Sequence, residues 1–143
     1  MSTPYLIVNS ASLALAFYKD VFGAEEKVCL TLPDGKIAHA ELRLPDGLLM
    51  LADEFPEQGY RSPRSLGGSP VSIYLRVADV DAVFARALAA GASSQMDVAD
   101  QFDGDRRGSL IDPFGHVWLI ATRKEQVSDE ELVRRFTAAM QQG

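Results

Sequence analysis

The sequence has little cysteine and no excess of positive charge, and each shortage removes a class of protein. One Cys among 143 residues excludes an internal disulfide and an all-cysteine zinc site, and it is typical of a reducing cytoplasm. A net charge of -6 argues against a surface that binds nucleic acid. No apolar run approaches the roughly 20 residues of a membrane span, and no signal-peptide pattern is present. We expect an acidic cytoplasmic protein that binds neither nucleic acid nor membrane.

An internal repeat organises the chain. The segment Tyr5–Val8 recurs at Tyr74–Val77 with an offset of 69, and Asp46–Leu51 recurs at Phe114–Leu119 with an offset of 68. Matched segments in the same order indicate two copies of one module, although chance similarity between amphipathic helices is an alternative. Each copy has the pattern of a strand, a helix and three strands. The repeat therefore predicts an α+β fold of two tandem βαβββ modules.

Each module is predicted to carry one amphipathic helix. The first spans residues 10–22, with Ser10 or Ser12 as its N-cap and Gly23 as its stop. Helical spacing predicts a buried stripe on this helix made of Leu13, Phe17, Val21 and Phe22. The same spacing predicts a stripe on the second helix made of Val83, Phe84, Ala87 and Leu88. Both helices are expected on one face of the sheet.

The remaining signals divide the chain. We predict one domain over residues 1–122 and a C-terminal helical extension over residues 123–143, where Ser128 and Glu131 have capping-box spacing. Within the domain, the expected boundaries are module one over about 1–55, a linker over about 53–70 and module two over about 70–122. The Pro- and Gly-rich linker is longer than most connections, so we expect it to cover a cleft or contact a partner.

Two motifs resemble those of a known family. Phe17-Tyr18 followed by Phe22-Gly23-Ala24 resembles the first-helix signature of the vicinal oxygen chelate superfamily, which includes glyoxalase I, bleomycin-resistance proteins and extradiol dioxygenases. The run from Asp112 to Trp118 resembles its Asp-Pro-x-Gly hairpin, and Ile37–Leu42 with Met50–Asp53 is closer to the PhnB-like branch. The resemblance implies that the two modules form a curved mixed sheet around a cleft, and that the protein is a homodimer.

The resemblance also implies where a metal would bind. Enzymes of the superfamily hold a divalent metal in the cleft with His, Glu or Gln from the first and last strands of each module. Carried over through the hairpin and the repeat, these positions hold Thr3, Leu51, Ser72 and Leu119. None supplies the imidazole or carboxylate that such metals prefer. We therefore expect no metal and no cofactor, which departs from glyoxalase and dioxygenase chemistry.

His39 and Glu41 are the candidate catalytic residues. Strand alternation predicts one helix-packed face made of Ala38, Ala40, Leu42 and Leu44, with His39, Glu41 and Arg43 opposite. A carboxylate beside an imidazole can make it a general acid or base. A half-buried polar strand face, with Glu41 paired to Arg43 or Arg76, is the simpler alternative. A rearranged metal site using His39, Glu41 and a third ligand also stays open.

The candidate ligand-binding residues are Tyr5, Met50, Ser72, Tyr74, Phe102 and Arg106. The first four are predicted to line the cleft, where Tyr5 and Tyr74 occupy equivalent places in the two modules. Phe102 and Arg106 lie in the loop before the last hairpin, where they are predicted to gate the cleft or bind an anionic group. Trp118 is predicted in the core, and His116 in turn or strand-edge packing.

Two functions follow as hypotheses. The first is metal-independent binding of a small molecule in the cleft. The alternative is a lyase or isomerase that acts on a small oxygenated substrate, with His39 and Glu41 as acid and base and with possible help from a metal. Whether the protein is an enzyme stays open at this point. A third hypothesis is an interaction module whose linker and C-terminal helix bind a partner chain.

Overall fold

Two copies of a four-stranded sheet carry the fold in the computed structural model, which describes residues 1–142. Module one comprises β1 (Tyr5–Val8), α1 (Ala11–Phe22), β2 (Glu25–Thr31), β3 (Ile37–Leu44) and β4 (Gly47–Asp53). A connection with a 3-10 turn (Pro56–Gln58) and a short helix α2 (Pro63–Leu66) follows. Module two comprises β5 (Ser72–Arg76), α3 (Val80–Ala89), β6 (Ser93–Asp100), β7 (Asp105–Ile111) and β8 (Val117–Arg123), and α4 (Asp129–Gln142) follows it.

The sheets have the same topology. Their strand orders are β1-β4-β3-β2 and β5-β8-β7-β6, with a parallel pair at one edge and antiparallel pairs elsewhere. The predicted α+β fold of two tandem βαβββ modules with a C-terminal helix is confirmed. Among the described residues, no helix is long and apolar enough to cross a membrane.

The strand register corrects the sequence repeat by one residue in the last strands. Tyr5 lies opposite Met50 in module one, and Tyr74 lies opposite Leu119 in module two, so the offset is 69 in the last strands as well as in the first. Gly47 lies in β4, whereas Gly115 lies in the turn before β8, so the two glycines are not equivalent. Leu51 is therefore fully buried in the core rather than on the cleft face, because a one-residue slip reverses every side chain.

The ends and faces of α1 differ partly from the prediction. Ser10 is the N-cap residue but its side chain makes no capping bond, and Ser12 lies inside the helix. Instead the Ala11 N–H donates to Asp53 Oδ1 at 2.7 Å, so the capping group comes from the end of β4. Gly23 ends the helix with a left-handed φ of 68°, as predicted.

Two residues of the predicted apolar stripes face outward. Leu13 of α1 is 64% exposed and Leu88 of α3 is 40% exposed. The buried face of α1 consists instead of Ala11, Ala14, Leu15, Phe17, Tyr18, Val21 and Phe22. Buried positions recur at spacings of three and four residues and form one arc around the helix axis. Leu13 lies just beyond the edge of that arc.

The two modules share one aromatic core. Helix α1 of module one contributes Phe17, Tyr18 and Phe22 to this core, and the β7–β8 hairpin of module two contributes Phe114 and Trp118. The buried Asp112 carboxylate accepts hydrogen bonds from the Tyr18 hydroxyl at 2.6 Å and from Trp118 Nε1 at 2.9 Å. His116 Nε2 lies 2.9 Å from the Ile7 carbonyl oxygen, so the hairpin also contacts β1. Trp118 is fully buried, as predicted.

Helix α4 packs against the loop before β7. Ser128 Oγ accepts from the Glu131 N–H at 3.2 Å, which is half of the predicted capping box. The rings of Phe136 and Phe102 lie 5.9 Å apart, and Arg135 donates to the Phe102 carbonyl at 3.0 Å. Helix α4 therefore lies at the rim of module two.

Candidate ligand-binding site

A bulge in β3 shapes the floor of the site. Leu30 lies opposite His39, but the next partner of β2, Thr31, lies opposite Ile37, so Ala38 is the extra residue. Ile37 is consequently buried in the core, while Ala38 lines a cavity rather than packing on the helices as predicted. The Ile37 N–H donates to Asp53 Oδ2 at 2.8 Å, so one carboxylate fixes both β3 and the start of α1.

Tyr5, His39 and Glu41 form a chain of hydrogen bonds on the face of the sheet opposite the helices. The Tyr5 hydroxyl lies 2.9 Å from His39 Nδ1, and His39 Nε2 lies 2.8 Å from Glu41 Oε2. The His39 and Glu41 side chains are 24% and 23% exposed. An ionised carboxylate can only accept, so Nε2 carries the hydrogen that faces Glu41.

The charged neighbours of Glu41 differ from those considered for it. Lys27 Nζ lies 4.0 Å from its second oxygen. Arg43 pairs with Glu25 at 3.7 Å, and Arg76 pairs with Asp105 at 3.2 Å. The partner that Glu41 contacts most closely is therefore His39.

A cavity of about 630 Å³ lies against this face of module one, in the size range of small-molecule pockets. Its walls are mainly aromatic and aliphatic, and they consist of Tyr5, Ile7, Leu32, Ala38, Ala52, Phe55, Gln58 and Tyr60. Three of these residues belong to the predicted linker, which therefore forms one wall of the cavity. Met50 lies beside it in register, opposite both Tyr5 and Glu41.

The linker wall is held by short-range bonds. Phe55 and Tyr60 exchange two backbone hydrogen bonds of 2.9 and 3.1 Å, which close the loop between them. Glu54 accepts from the Ser62 N–H at 2.7 Å and from the Ser65 hydroxyl. These hydrogen bonds lower the pKa of Glu54 below its ordinary value, so the carboxylate that anchors the loop is ionised at neutral pH.

The pKa of Tyr5 is raised above its ordinary value. Partial burial is the main cause, and Tyr60 and Glu41 add to it because both disfavour a phenolate nearby. Tyr5 therefore remains a neutral phenol at physiological pH.

Module two carries a different polar cluster at the equivalent place. Asp105 is 3% exposed and accepts from the Tyr74 hydroxyl at 2.6 Å, from Arg76 at 3.2 Å and from Arg123 at 3.1 Å. Burial raises the pKa of Asp105, but these donors outweigh it and hold the pKa below the ordinary value. Arg107 donates to the Tyr74 hydroxyl at 3.1 Å. The structure thus surrounds one buried carboxylate with a phenol and arginines.

The sequence-predicted ligand residues divide between the two modules. Tyr74 lines a separate cavity of about 500 Å³, together with Asp105, Arg76 and residues that precede or begin α4. Ser72 is exposed at the start of β5. Tyr5 and Tyr74 therefore line two cavities rather than one cleft.

Arg106 and Phe102, which were predicted to gate a cleft, contact other side chains of the protein instead. Arg106 donates to Asp81 at 2.8 Å and to Asp100 at 3.2 Å, whereas its neighbour Arg107 reaches Tyr74. Alternation along β7 explains the difference, since adjacent side chains point to opposite faces. The Phe102 ring packs on Phe136 of α4.

Comparison with known proteins places the chain in a family. The model of the Glyoxalase/Bleomycin resistance protein/Dioxygenase superfamily matches residues 3–120. The chain belongs to this superfamily. The assignment made from its motifs is confirmed.

Three similar proteins illustrate the match. An uncharacterised protein of Mycobacterium tuberculosis (strain ATCC 25618 / H37Rv) is 44% identical over 133 residues, which cover 91% of this chain and 78% of that protein. A crystal structure of a Pseudomonas aeruginosa protein has a TM-score of 0.69 at 27% identity and covers 87% of this chain and 98% of its own. A PhnB protein from Bacillus cereus, with a TM-score of 0.66, 20% identity and coverage of 85% and 98%, shares the fold.

The positions that would hold the superfamily's metal do not suit one here. With the register of the structure, these positions are Thr3, Met50, Ser72 and Leu119. The Met50 thioether and the Thr3 and Ser72 hydroxyls are poor ligands for divalent zinc, iron, nickel or manganese, and the Leu119 side chain has no donor atom. Within residues 1–142, His, Cys, Asp and Glu side chains form no group of three or more that could hold a metal ion.

Several site residues were missed by the sequence reasoning. Phe55 and Tyr60 gave no signal because the path of a long linker is not encoded in a periodic pattern. Asp105 and Arg107 did give one, because they alternate along β7 onto the same face as each other. That pattern identifies a polar pair on the face that carries Tyr74.

Proposed function

We propose that the protein binds a small, largely apolar molecule in the cavity of module one, without a metal. The observation that carries this proposal is the cavity of about 630 Å³ itself, with three aromatic side chains in its wall and a polar chain at its side. Apolar walls with a few placed polar groups are the usual composition of a ligand pocket. Tyr5, His39, Glu41 and Met50 are the proposed contact residues from the sequence-predicted set.

The test is a substitution at the floor of the cavity that fills the cavity with a larger side chain. Ala38 lines the cavity, so Ala38→Phe places a ring in it, whereas Ala16→Phe makes the same change on the exposed side of α1. A fragment library is screened by ligand-observed NMR against the parent protein and both variants. We expect hits that bind one per chain, are released unchanged, and are lost in Ala38→Phe but kept in Ala16→Phe. Binding that survives in a folded Ala38→Phe, or conversion of the bound hit to a product, contradicts the proposal.

A second candidate function is supported by the hydrogen-bond chain. Glu41 orients the His39 ring, and His39 Nδ1 meets the Tyr5 hydroxyl at the cavity wall. A substrate proton would pass through the Tyr5 hydroxyl to His39, so the same residues suit a lyase or isomerase acting on a small oxygenated substrate. If any screened compound turns over, His39→Ala and Glu41→Ala are expected to lower its rate at least about a hundredfold. Unchanged turnover in both variants removes this candidate.

We propose that the protein acts in the cytoplasm, as a homodimer, with a domain over residues 1–122 and an extension over residues 123–143. Apolar side chains exposed on α4 support an assembly role for the extension, since Val133 is 65% exposed and Met140 is 62% exposed. Light scattering of the full chain and of a chain ending at residue 126 tests this. A monomer in the first case, or an unchanged dimer in the second, contradicts it.

A further inference from the structure

The polar edge of the module-one cavity has a defined hydrogen-bond direction. Glu41 is held as an acceptor, so the His39 Nε2 hydrogen faces it. In the neutral ring, Nδ1 then has only a lone pair, so in their 2.9 Å hydrogen bond the Tyr5 O–H donates to it. The Tyr5 hydrogen is thus engaged, and what its oxygen still offers to a ligand is a lone pair.

The surroundings of that oxygen are unfavourable for anions. The Glu41 carboxylate lies one imidazole away from it. The raised pKa of Tyr5 has burial as its main cause, with Tyr60 and Glu41 as further contributors, so a phenolate on this oxygen is disfavoured.

The walls favour a planar body. Tyr5, Phe55 and Tyr60 line the cavity together with aliphatic side chains from the sheet. Aromatic faces stack on planar rings and attract positive charge rather than negative charge. Lys36 already shows this preference, since its Nζ lies 5.4 Å from the centre of the Phe55 ring.

We propose that the ligand is a planar aromatic compound that bears an N–H donor, as a nitrogen heterocycle or aryl amine does, and that the Tyr5 oxygen accepts from this donor. This inference rests on the proposed binding function and specifies the ligand class. It makes Tyr5 the residue that determines specificity, with His39 and Glu41 positioning its hydroxyl. A carboxylate or phosphate placed against the Tyr5 oxygen is disfavoured, because that oxygen offers only a lone pair.

The test uses three probes with the same ring system. Indole carries the donor, 1-methylindole lacks it, and indole-3-carboxylate adds a negative charge. Dissociation constants are measured by NMR titration of the isotope-labelled protein, with shifts of Ile7, Ala38 and Ala52 reporting on the cavity. The buffer is set at about pH 8.5, which favours the neutral form of an imidazole.

The expected result is a preference that depends on one oxygen atom. In the parent protein, 1-methylindole should bind about fivefold more weakly than indole, which is the effect of one lost hydrogen bond, and indole-3-carboxylate should bind most weakly. Tyr5→Phe should reduce the ratio of the two uncharged probes to about one. Tyr60→Phe removes the other phenol of the wall, which is outside the hydrogen-bond chain, so the ratio should persist whatever happens to absolute affinity.

Several other outcomes would contradict the inference. Equal ratios in the parent protein and in Tyr5→Phe, or tightest binding of the carboxylate, overturn the inference while the proposed binding function stands. Loss of the ratio in Tyr60→Phe but not in Tyr5→Phe transfers the acceptor role to Tyr60 and also overturns it. If none of the probes shifts the cavity residues at millimolar concentration, the inference fails, and the fragment screen with Ala38→Phe decides separately whether the binding function fails with it.

Discussion

Asp105 is the buried carboxylate to which several polar and charged side chains of module two donate hydrogen bonds. A carboxylate that is 3% exposed is costly to bury unless donors surround it, and here Tyr74, Arg76 and Arg123 donate to it. These donors hold its pKa below the ordinary value despite the opposing effect of burial. Its role is therefore first to join β5, β7 and β8, and the arginines owe their positions to it.

The lowered pKa of Asp105 predicts an acid-dependent loss of stability. The folded protein binds fewer protons here than the unfolded chain, so the stabilising contribution is complete above the unfolded pKa and is lost as the pH falls through the folded pKa. At pH 7 we expect Asp105→Asn to lower the free energy of unfolding by about 3 kcal/mol. The gap between variant and parent should narrow as the pH falls below about 4.

Urea denaturation at about pH 7, 5 and 3 measures this gap, because only the lowest of these values lies below the unfolded pKa of an aspartate. Asp97 provides a matched control, because it is an exposed carboxylate on β6 whose contact is with Ser94. Asp97→Asn should change stability by less than about 0.5 kcal/mol throughout. A gap for Asp105→Asn that is the same size at every pH contradicts the assignment.

At the level of elements, regular repeats were predictable and departures from regularity were not. The α1 and α3 helices and their sheets follow from spacing of three, four and two residues, and the structure has them. The bulge at Ala38 adds one residue to β3 without any residue type that marks it, and it turns Ala38 toward the cavity. The slip at Leu51 arose because equating Gly47 with Gly115 equated a strand glycine with a turn glycine.

The candidate site was predictable only where it lies on regular strands. His39 and Glu41 were placed together by alternation along β3, and they are hydrogen-bonded. Tyr60 contributes to the same cavity from the linker, where no periodicity constrains the path. The difference is physical, since strand geometry fixes the direction of a side chain and a loop does not.

Helix α2 of the linker packs closely against the β7–β8 turn at Gly115, which allows a sharp test. Gly115 has a φ of 91°, and a Cβ there would lie 2.7 Å from Pro63 Cβ of α2. Gly35 has the same φ of 91° but open space around it. We expect Gly35→Ala to lower the free energy of unfolding by about 1 kcal/mol, through backbone strain alone.

Gly115→Ala should cost at least about 1 kcal/mol more than Gly35→Ala, because the new methyl group must also displace Pro63. Thermal unfolding of the two variants beside the parent protein measures the difference. A shift in Tm of equal size for both would show that α2 yields without cost and does not hold the linker against the hairpin.

At the scale of the whole molecule, Asp112 ties the two modules together. It is 2% exposed, lies at the start of the β7–β8 turn, and accepts from Tyr18 of module one as well as from Trp118 of module two. The Asp of the Asp-Pro-x-Gly motif thus acts as a junction as well as a turn residue. Because Tyr18 and Trp118 are both fully buried, neither module has a complete core without the other.

This shared core predicts that both modules unfold in one transition. Trp118 is the single tryptophan, so its fluorescence reports on the junction, while far-ultraviolet circular dichroism reports on both modules. Asp112→Ala leaves four buried donors without their acceptor, namely the Tyr18 hydroxyl, Trp118 Nε1 and the N–H groups of Phe114 and His116, and should lower the free energy of unfolding by at least about 3 kcal/mol. Tyr18→Phe should lower it by about 1 kcal/mol. In each variant the two signals should shift together in urea. A fluorescence transition that moves while part of the dichroism signal keeps its parent midpoint would show that the modules are stable independently, because a module without its own complete core could not hold that midpoint.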